Sequence, residues 1–176
     1  NRLINNFLDL DRLESGQLSL TKEPFDPLVV VENAVQLLKP QAEAGKALVR
    51  LHCHRNLPHL IADQDRIEQA LLNLIGNAIK YGGTSVHIDI NLHVSEGHTV
   101  FEVSDNGPGI SGEELPLVFN RFYRGILDEG EENDKNIKGT GLGLWMTYEL
   151  VKKHTGDIQV ESHAGKGTEI TITFVK

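Results

Sequence analysis

With 176 residues, 39% of them hydrophobic, the chain can bury one sizeable core, and one main domain is expected. A formal charge of -8 argues against non-specific nucleic-acid binding, no apolar run reaches membrane-spanning length, and the start lacks a signal-peptide pattern. Cys53 is the only cysteine, which excludes an intrachain disulfide and suits a reducing, cytoplasmic setting.

Residues 1–16 read as a helix, with Leu3, Phe7, Leu10 and Leu13 near i, i+4, i+7 and i+10 spacing. It is either a short surface helix packed on its own domain or a coiled-coil or bundle face truncated upstream. The absence of a capping residue before Asn1 favours the second. Leu18 and Leu20 alternate into Thr21-Lys22-Glu23-Pro24, which predicts a short strand and then a turn. Pro27 opens a helix that runs to about Glu43 and stops at Gly45. Residues 48–53 and 60–62 read as strands, and Asp63 is placed to N-cap the helix that follows.

That helix carries the most informative stretch, Asn73-Leu74-Ile75-Gly76-Asn77-Ala78-Ile79-Lys80-Tyr81. Leu71, Leu72, Leu74, Ile75, Ala78 and Ile79 want a core, while Asn73 and Asn77 fall at i and i+4 with Lys80 and Tyr81 one turn on. Asparagine costs roughly 0.5 kcal/mol against alanine in a helix, and a solvated face more naturally carries Glu, Lys or Arg. Two amides beside a lysine suit a hard cation and its anionic ligand. An ordinary polar stripe competes evenly with that reading until the later motifs are met.

Residues 85–94 and 99–104 alternate as a strand pair around Glu96-Gly97, a long irregular stretch covers about 106–140, and residues 142–154 form a helix. Residues 157–162 and 168–175 make a last hairpin through Ala164-Gly165-Lys166-Gly167. Helices and strands are mixed without a regular βαβ repeat. The expected class is therefore α+β, a two-layer α/β sandwich with helices on one face of a mixed, mostly antiparallel sheet.

Asp105 shares the strand parity of Phe101 and Val103, so it continues an apolar face and must find a donor there. At a pocket mouth it can accept from an exocyclic amine such as adenine's; capping its own Asp-Asn-Gly turn is the plainer alternative. The loop Asn106-Gly107-Pro108-Gly109-Ile110 allows close backbone approach. Gly139-Thr140-Gly141-Leu142-Gly143-Leu144 opens a helix, where free N-H groups and the dipole favour phosphate. No strand directly precedes it, which excludes a dinucleotide-binding fingerprint. Gly165-Lys166-Gly167-Thr168 fails as a P-loop tail, because Val160 and Gly167 stand where glycine and Ser/Thr belong.

Together these motifs resemble the catalytic and ATP-binding domain of sensor histidine kinases. Asn73 to Tyr81 resembles that family's N box and Asp105 to Gly109 its first glycine box. Phe119-Asn120-Arg121-Phe122-Tyr123-Arg124 resembles the F box, Gly139 to Leu144 the second glycine box, and Gly165 to Thr168 the closing glycine hairpin. The resemblance covers roughly residues 20–176 and implies a Bergerat-type fold with ATP between the asparagine helix and a lid. It implies that Asn77 ligates Mg²⁺, that Lys80 and Arg124 meet phosphates with Arg121 a weaker candidate, and that Asn73, Lys80 and Arg124 serve the transfer step. Tyr81 and Ile110 would flank base or sugar, and Asp105 would read the adenine amine. Gly107, Gly109, Lys138, Gly139, Thr140, Gly141, Leu142, Gly143 and Thr168 would complete the cradle. The lid would run from about Gly125 to Lys138. Its run from Asp128 to Asp134 is too charged to pack, and so acidic a lid should repel triphosphate unless Mg²⁺, Lys135 and Lys138 offset it.

Related ATPases such as DNA gyrase place a water-activating glutamate one turn before the metal-binding asparagine. Here that position is Asn73, which cannot act as a base, so a kinase is expected rather than a hydrolase. None of the eight histidines is followed by the acidic residue typical of an acceptor. Residues 1–16 resemble the end of the dimerisation and phosphoacceptor hairpin, with residues 17–176 as the catalytic domain, so the acceptor is expected upstream of Asn1. The implied partners are that hairpin, a second copy of the full-length kinase and a response regulator, with no nucleic acid and no membrane contact by this segment. An ATP-sensing module that regulates a partner without transfer is the alternative. His52-Cys53-His54 is not expected to hold a metal tightly, because strand parity turns Cys53 inward with Leu51 and both histidines the other way. Trp145 and Met146 are expected to pack rather than touch a base, and Thr155-Gly156 stands where the family often has two glycines.

Overall fold

The computed structural model describes residues 10–13, 15–54, 57–125 and 140–175. The expected positions Lys135, Lys138 and Gly139, residues 1–9 and the lid beyond Gly125 lie outside them. In chain order the elements are β1 (Glu23–Phe25), α1 (Pro27–Ala44), β2 (Leu48–Cys53), β3 (Leu60–Ala62), α2 (Gln64–Tyr81), β4 (His87–Ser95) and β5 (His98–Asp105). A short 3-10 turn at Leu115–Leu117 precedes α3 (Gly143–Lys153), β6 (Asp157–His163) and β7 (Gly167–Val175).

The five-stranded sheet runs β2-β4-β5-β7-β6, with β2 parallel to β4 and every other neighbour antiparallel. The parallel pair needs a crossover, and α2 supplies it. Alternation along β4 turns Ile88, Ile90 and Leu92 to the helices and Asp89, Asn91 and His93 away. Register continues that inner layer across the sheet: Ile90 opposes Val103 and Leu92 opposes Phe101, which in turn face Ile170 and Ile172 of β7. Val30, Val31 and Ala34 of α1 and Leu71, Leu74 and Ile75 of α2 close the core from one side. That is the two-layer α/β sandwich the sequence predicts.

β4 and β5 join through Glu96 (φ 51) and Gly97 (φ 81), whose positive angles are those of a type I′ hairpin turn. α1 begins at an Asp26 cap that accepts from the Leu28 N-H. It ends at Gly45, but the left-handed residue is Lys46 (φ 54), one position beyond the glycine.

The predicted strand at Leu18 and Leu20 and the turn at 21–24 are corrected. The strand is β1, antiparallel to β3 in a separate two-stranded pair, with Pro24 opposite Ile61. One side of a two-stranded ribbon lacks a ladder partner, so a proline is tolerated there. Leu18 is buried against Met146 and Leu150 of α3, with Leu13, Leu20 and Trp145 around them. Its period-2 pattern reflects an extended segment lying on a helix. Residues 10–13 are helical, and Leu10 is buried.

Candidate functional site

α2 is built to be aimed. Asp63 Oδ1 accepts the Arg66 N-H at 3.2 Å, the expected cap, while Oδ2 takes the Thr21 N-H at 2.9 Å and ties the incoming chain to the same helix start. The Asp63 N-H donates to Nε2 of buried His154 at 3.1 Å, and His154 Nδ1 donates to the Leu150 carbonyl at 2.7 Å. An Nε2 that accepts fixes the neutral tautomer, and burial, the largest influence, pushes the His154 pKa down. One end of α3 is thereby pinned to the start of α2.

With its apolar side in the core, α2 presents Asn73, Asn77, Lys80 and Tyr81 to a cavity of about 600 Å³ between α2, the β5 end and the start of α3. Asn73 is buried and its Nδ2 donates to the Gly143 carbonyl at 3.4 Å, which also accepts Thr147 Oγ1 at 3.0 Å. Lys80 Nζ lies 2.5 Å from the Tyr81 hydroxyl and 4.2 Å from its ring centroid.

Asp105 is half-buried at the end of the inner row of β5. Burial raises its carboxyl pKa, and the Gly107 N-H at 2.8 Å together with the Thr168 backbone amide pull it back. Asp105 caps its own turn, the plainer alternative, and it also lines the cavity.

Glycine is required where backbones touch. A Cβ on Gly107 would lie 2.7 Å from Gly82 Cα, and one on Gly109 (φ +69) would lie 2.1 Å from the His163 carbonyl oxygen. A Cβ on Gly141 (φ +67) would lie 2.6 Å from the Phe122 carbonyl carbon, where the Phe122 N-H donates to the Gly141 carbonyl at 3.0 Å. The F-box segment and the second glycine loop are thus locked together, and α3 opens at Gly143 with no side-chain cap on its first N-H groups.

Of the expected positions, Asn73, Asn77, Lys80, Tyr81, Asp105, Gly109, Ile110, Arg124, Thr140, Gly141, Gly143 and Thr168 all line this cavity. Gly107 supports Asp105 from behind, and Leu142 is fully buried below the loop. Arg121 lies outside the lining, 4.6 Å from the Phe122 ring centroid and 5.8 Å from that of Trp145. Lys138 and Gly139 are outside the described residues.

Sequence reasoning missed Glu114, which lines the cavity and accepts Ser111 Oγ at 2.7 Å and Tyr123 OH at 3.4 Å. It also missed Gly82 and His154. A tyrosine followed by two glycines hinted at the first; nothing local marks the others.

Met146 is fully buried and Trp145 packs beside it, as expected. Cys53 packs on the core while His52 is exposed, 2.9 Å from Asp89, and His54 stacks near His93. Among the described residues no group of three or more His, Cys, Asp or Glu could hold a metal, and no helix is long and apolar enough to cross a membrane.

A family model described as histidine kinase-, DNA gyrase B-, and HSP90-like ATPase matches residues 62–176. The cell-division control histidine kinase PdhS of Brucella canis is 29% identical over 177 residues, which is 98% of this chain and 17% of PdhS. Sensor histidine kinase WalK of Bacillus subtilis is 33% identical over 175 residues, 98% of this chain and 28% of WalK. The chain thus spans under a third of either relative's length. Full-length ShkA, solved in complex with AMPPNP, matches with a TM-score of 0.84 at 26% identity, over 98% of this chain and 35% of ShkA. Fold, cavity and relatives converge: the chain belongs to the histidine kinase-, DNA gyrase B- and HSP90-like ATPase family, on its histidine-kinase side.

Proposed function

We propose that the cavity binds Mg-ATP and that the chain is the catalytic domain of a two-component histidine kinase, handing the γ-phosphoryl group to a histidine in a helical hairpin outside this chain. The observation that carries this is the convergence of Asp105, the asparagine face of α2, Lys80, Arg124 and the opening turn of α3 on one cavity. Its chemistry is graded: a carboxylate acceptor on β5, cations at Lys80 and Arg124, and free helix N-H groups at Gly143.

The residues fit the ligand. Glycines 109 and 141 line the cavity, and their missing Cβ atoms let these loops close on the His163 and Phe122 backbones. The Asn77 amide oxygen offers the single protein ligand that Mg²⁺ commonly takes beside phosphate oxygens and water. Bound Mg²⁺ would neutralise charge on the phosphates. The chain's own part is alignment: Asp105 fixes the base, Tyr81 and Ile110 flank base or sugar, and Lys80 and Arg124 hold phosphate oxygens. Asn73 is committed to α3 and has no basic group, which favours transfer to a supplied nucleophile over hydrolysis.

On this reading residues 1–16 end the phosphoacceptor hairpin, residues 17–176 are the catalytic domain, and the longer protein dimerises and serves a response regulator. The site lies on the cytoplasmic side. Incubating the chain with γ-labelled ATP and Mg²⁺, with and without a separately made upstream helical segment from the same gene, tests it. Acid-labile label on the added segment alone is expected. ATP binding without transfer would favour a regulatory module, and no ATP binding would overturn the site.

A further inference from the structure

We propose that Ser162 is a positioning residue: its hydroxyl fixes the polarity of Thr168, so Thr168 and Asp105 together face the base as acceptors and favour a 6-amino over a 6-oxo purine. This rests on the nucleotide reading above and names what makes that site selective.

Ser162 lies outside the cavity lining but touches two residues in it. Its Oγ receives the Ile110 N-H at 2.8 Å, lies 2.8 Å from Thr168 Oγ1, and donates to the Gly167 carbonyl at 2.8 Å. A serine hydroxyl has one proton and two lone pairs, so three partners at this distance use everything it has. The Ile110 amide can only donate and the Gly167 carbonyl can only accept. The serine proton therefore goes to Gly167, and the Thr168 contact must run from Thr168 to Ser162. Were it reversed, Gly167 O and Ser162 Oγ would face each other at 2.8 Å with no proton between them.

Gly167 cannot turn away to relieve this. Its φ is +100, and a Cβ there would lie 1.9 Å from the Asp105 carbonyl oxygen, so its peptide is wedged against β5. Asp105 and Thr168 are paired in register across β5 and β7. Thr168 Oγ1, its proton committed to Ser162, can show a ligand only lone pairs, and the ionised Asp105 beside it does the same. With the purine six-position held between them, an adenine amine finds two acceptors, whereas the O6 of guanine in the same pose would meet lone pairs and no donor.

The test is the ratio of GTP to ATP dissociation constants, measured by calorimetry with Mg²⁺. The parent chain should prefer ATP. In Ser162→Ala the Thr168 proton is released to the cavity, and the ratio should fall roughly tenfold, the scale of one mispaired hydrogen bond. Ser162→Thr, which keeps a hydroxyl, should retain the ratio, and Ser162→Ala should not change it further in a Thr168→Val background. Ser162→Cys, a weaker donor of similar volume, gives the same reading should the alanine variant fail to fold. Equal weakening of both nucleotides would overturn the proposal and leave Ser162 as loop support, with the ATP site intact. A parent chain that binds neither nucleotide would overturn the site itself.

Discussion

Asp105→Asn separates recognition from folding. The substitution keeps shape and one acceptor oxygen, so the Gly107 N-H at 2.8 Å can still be received, but it places an N-H₂ where the second carboxylate oxygen stood. A hydrogen bond to a charged group contributes about 1.5–3 kcal/mol, so ATP affinity should fall roughly 10- to 100-fold. The fold should not suffer. Burial raises the Asp105 pKa in the folded chain, so this group's contribution to stability falls as pH rises through that raised value and stays low above it. At pH 7 a neutral amide therefore leaves the melting temperature unchanged or higher. Calorimetry with ATP and Mg²⁺, beside a thermal melt, reads both quantities. An unchanged dissociation constant would refute the pocket as drawn. A melting drop above about 4 °C, or ~1 kcal/mol at this chain length, would show that the two backbone amides outweigh the burial penalty.

Gly109→Ala should cost at least about 2–3 kcal/mol by urea unfolding, since left-handed strain adds to a 2.1 Å contact with His163; Gly165→Ala (φ +77), with open space around it, should cost only about 1–2. Because burial lowers the His154 pKa, the unfolded chain binds the extra proton first, and stability should be lost as pH falls from about 6.5 toward the depressed folded value. Melting curves at pH 7.5 and 5.5 should differ less in His154→Gln than in the parent, and equal slopes would exclude His154 as the source. Thr155 holds a left-handed φ of 61, where a β-branched residue is strained, so Thr155→Gly should raise the melting temperature by a few degrees. Asn77→Ala should lose mainly the magnesium-dependent part of ATP affinity; titrations as magnesium-sensitive as the parent's would remove Asn77 from the metal.

Legibility tracked how local the cause was. The asparagine stripe could be read because four polar residues interrupt an apolar helix at fixed spacing, and Asp105 because strand parity carries it onto the face of Phe101 and Val103. Glycines 109 and 141 were marked by motifs whose residue type already states the close approach. Leu18 and Leu20 misled because alternation reports which side chains are covered, not whether a backbone partner exists. The His154 link to Asp63 joins positions 91 apart and needs α2 and α3 already packed. Gly82 meets Gly107 only once the helix end and the β5 loop coincide, and Glu114 gains its partners from a turn whose fold no periodicity encodes. The polarity of Thr168 hangs on a proton count around Ser162, which a sequence does not hold.

The sheet order leaves β2 and β6 as its outer strands among the described residues, and this bears on how the protein behaves in a crowded solution. An outer strand offers unpaired backbone groups to any other chain, which is the usual start of edge-to-edge association. On β6 the exposed residues are Asp157, Gln159, Glu161 and His163, and on β2 Leu48, Arg50 and His52 stand out to solvent. Joining two β6 edges would bring the like carboxylates of Asp157 and Glu161 together. The polar side of β6 therefore guards against aggregation, and replacing Glu161 with an apolar residue would cost solubility before it cost stability.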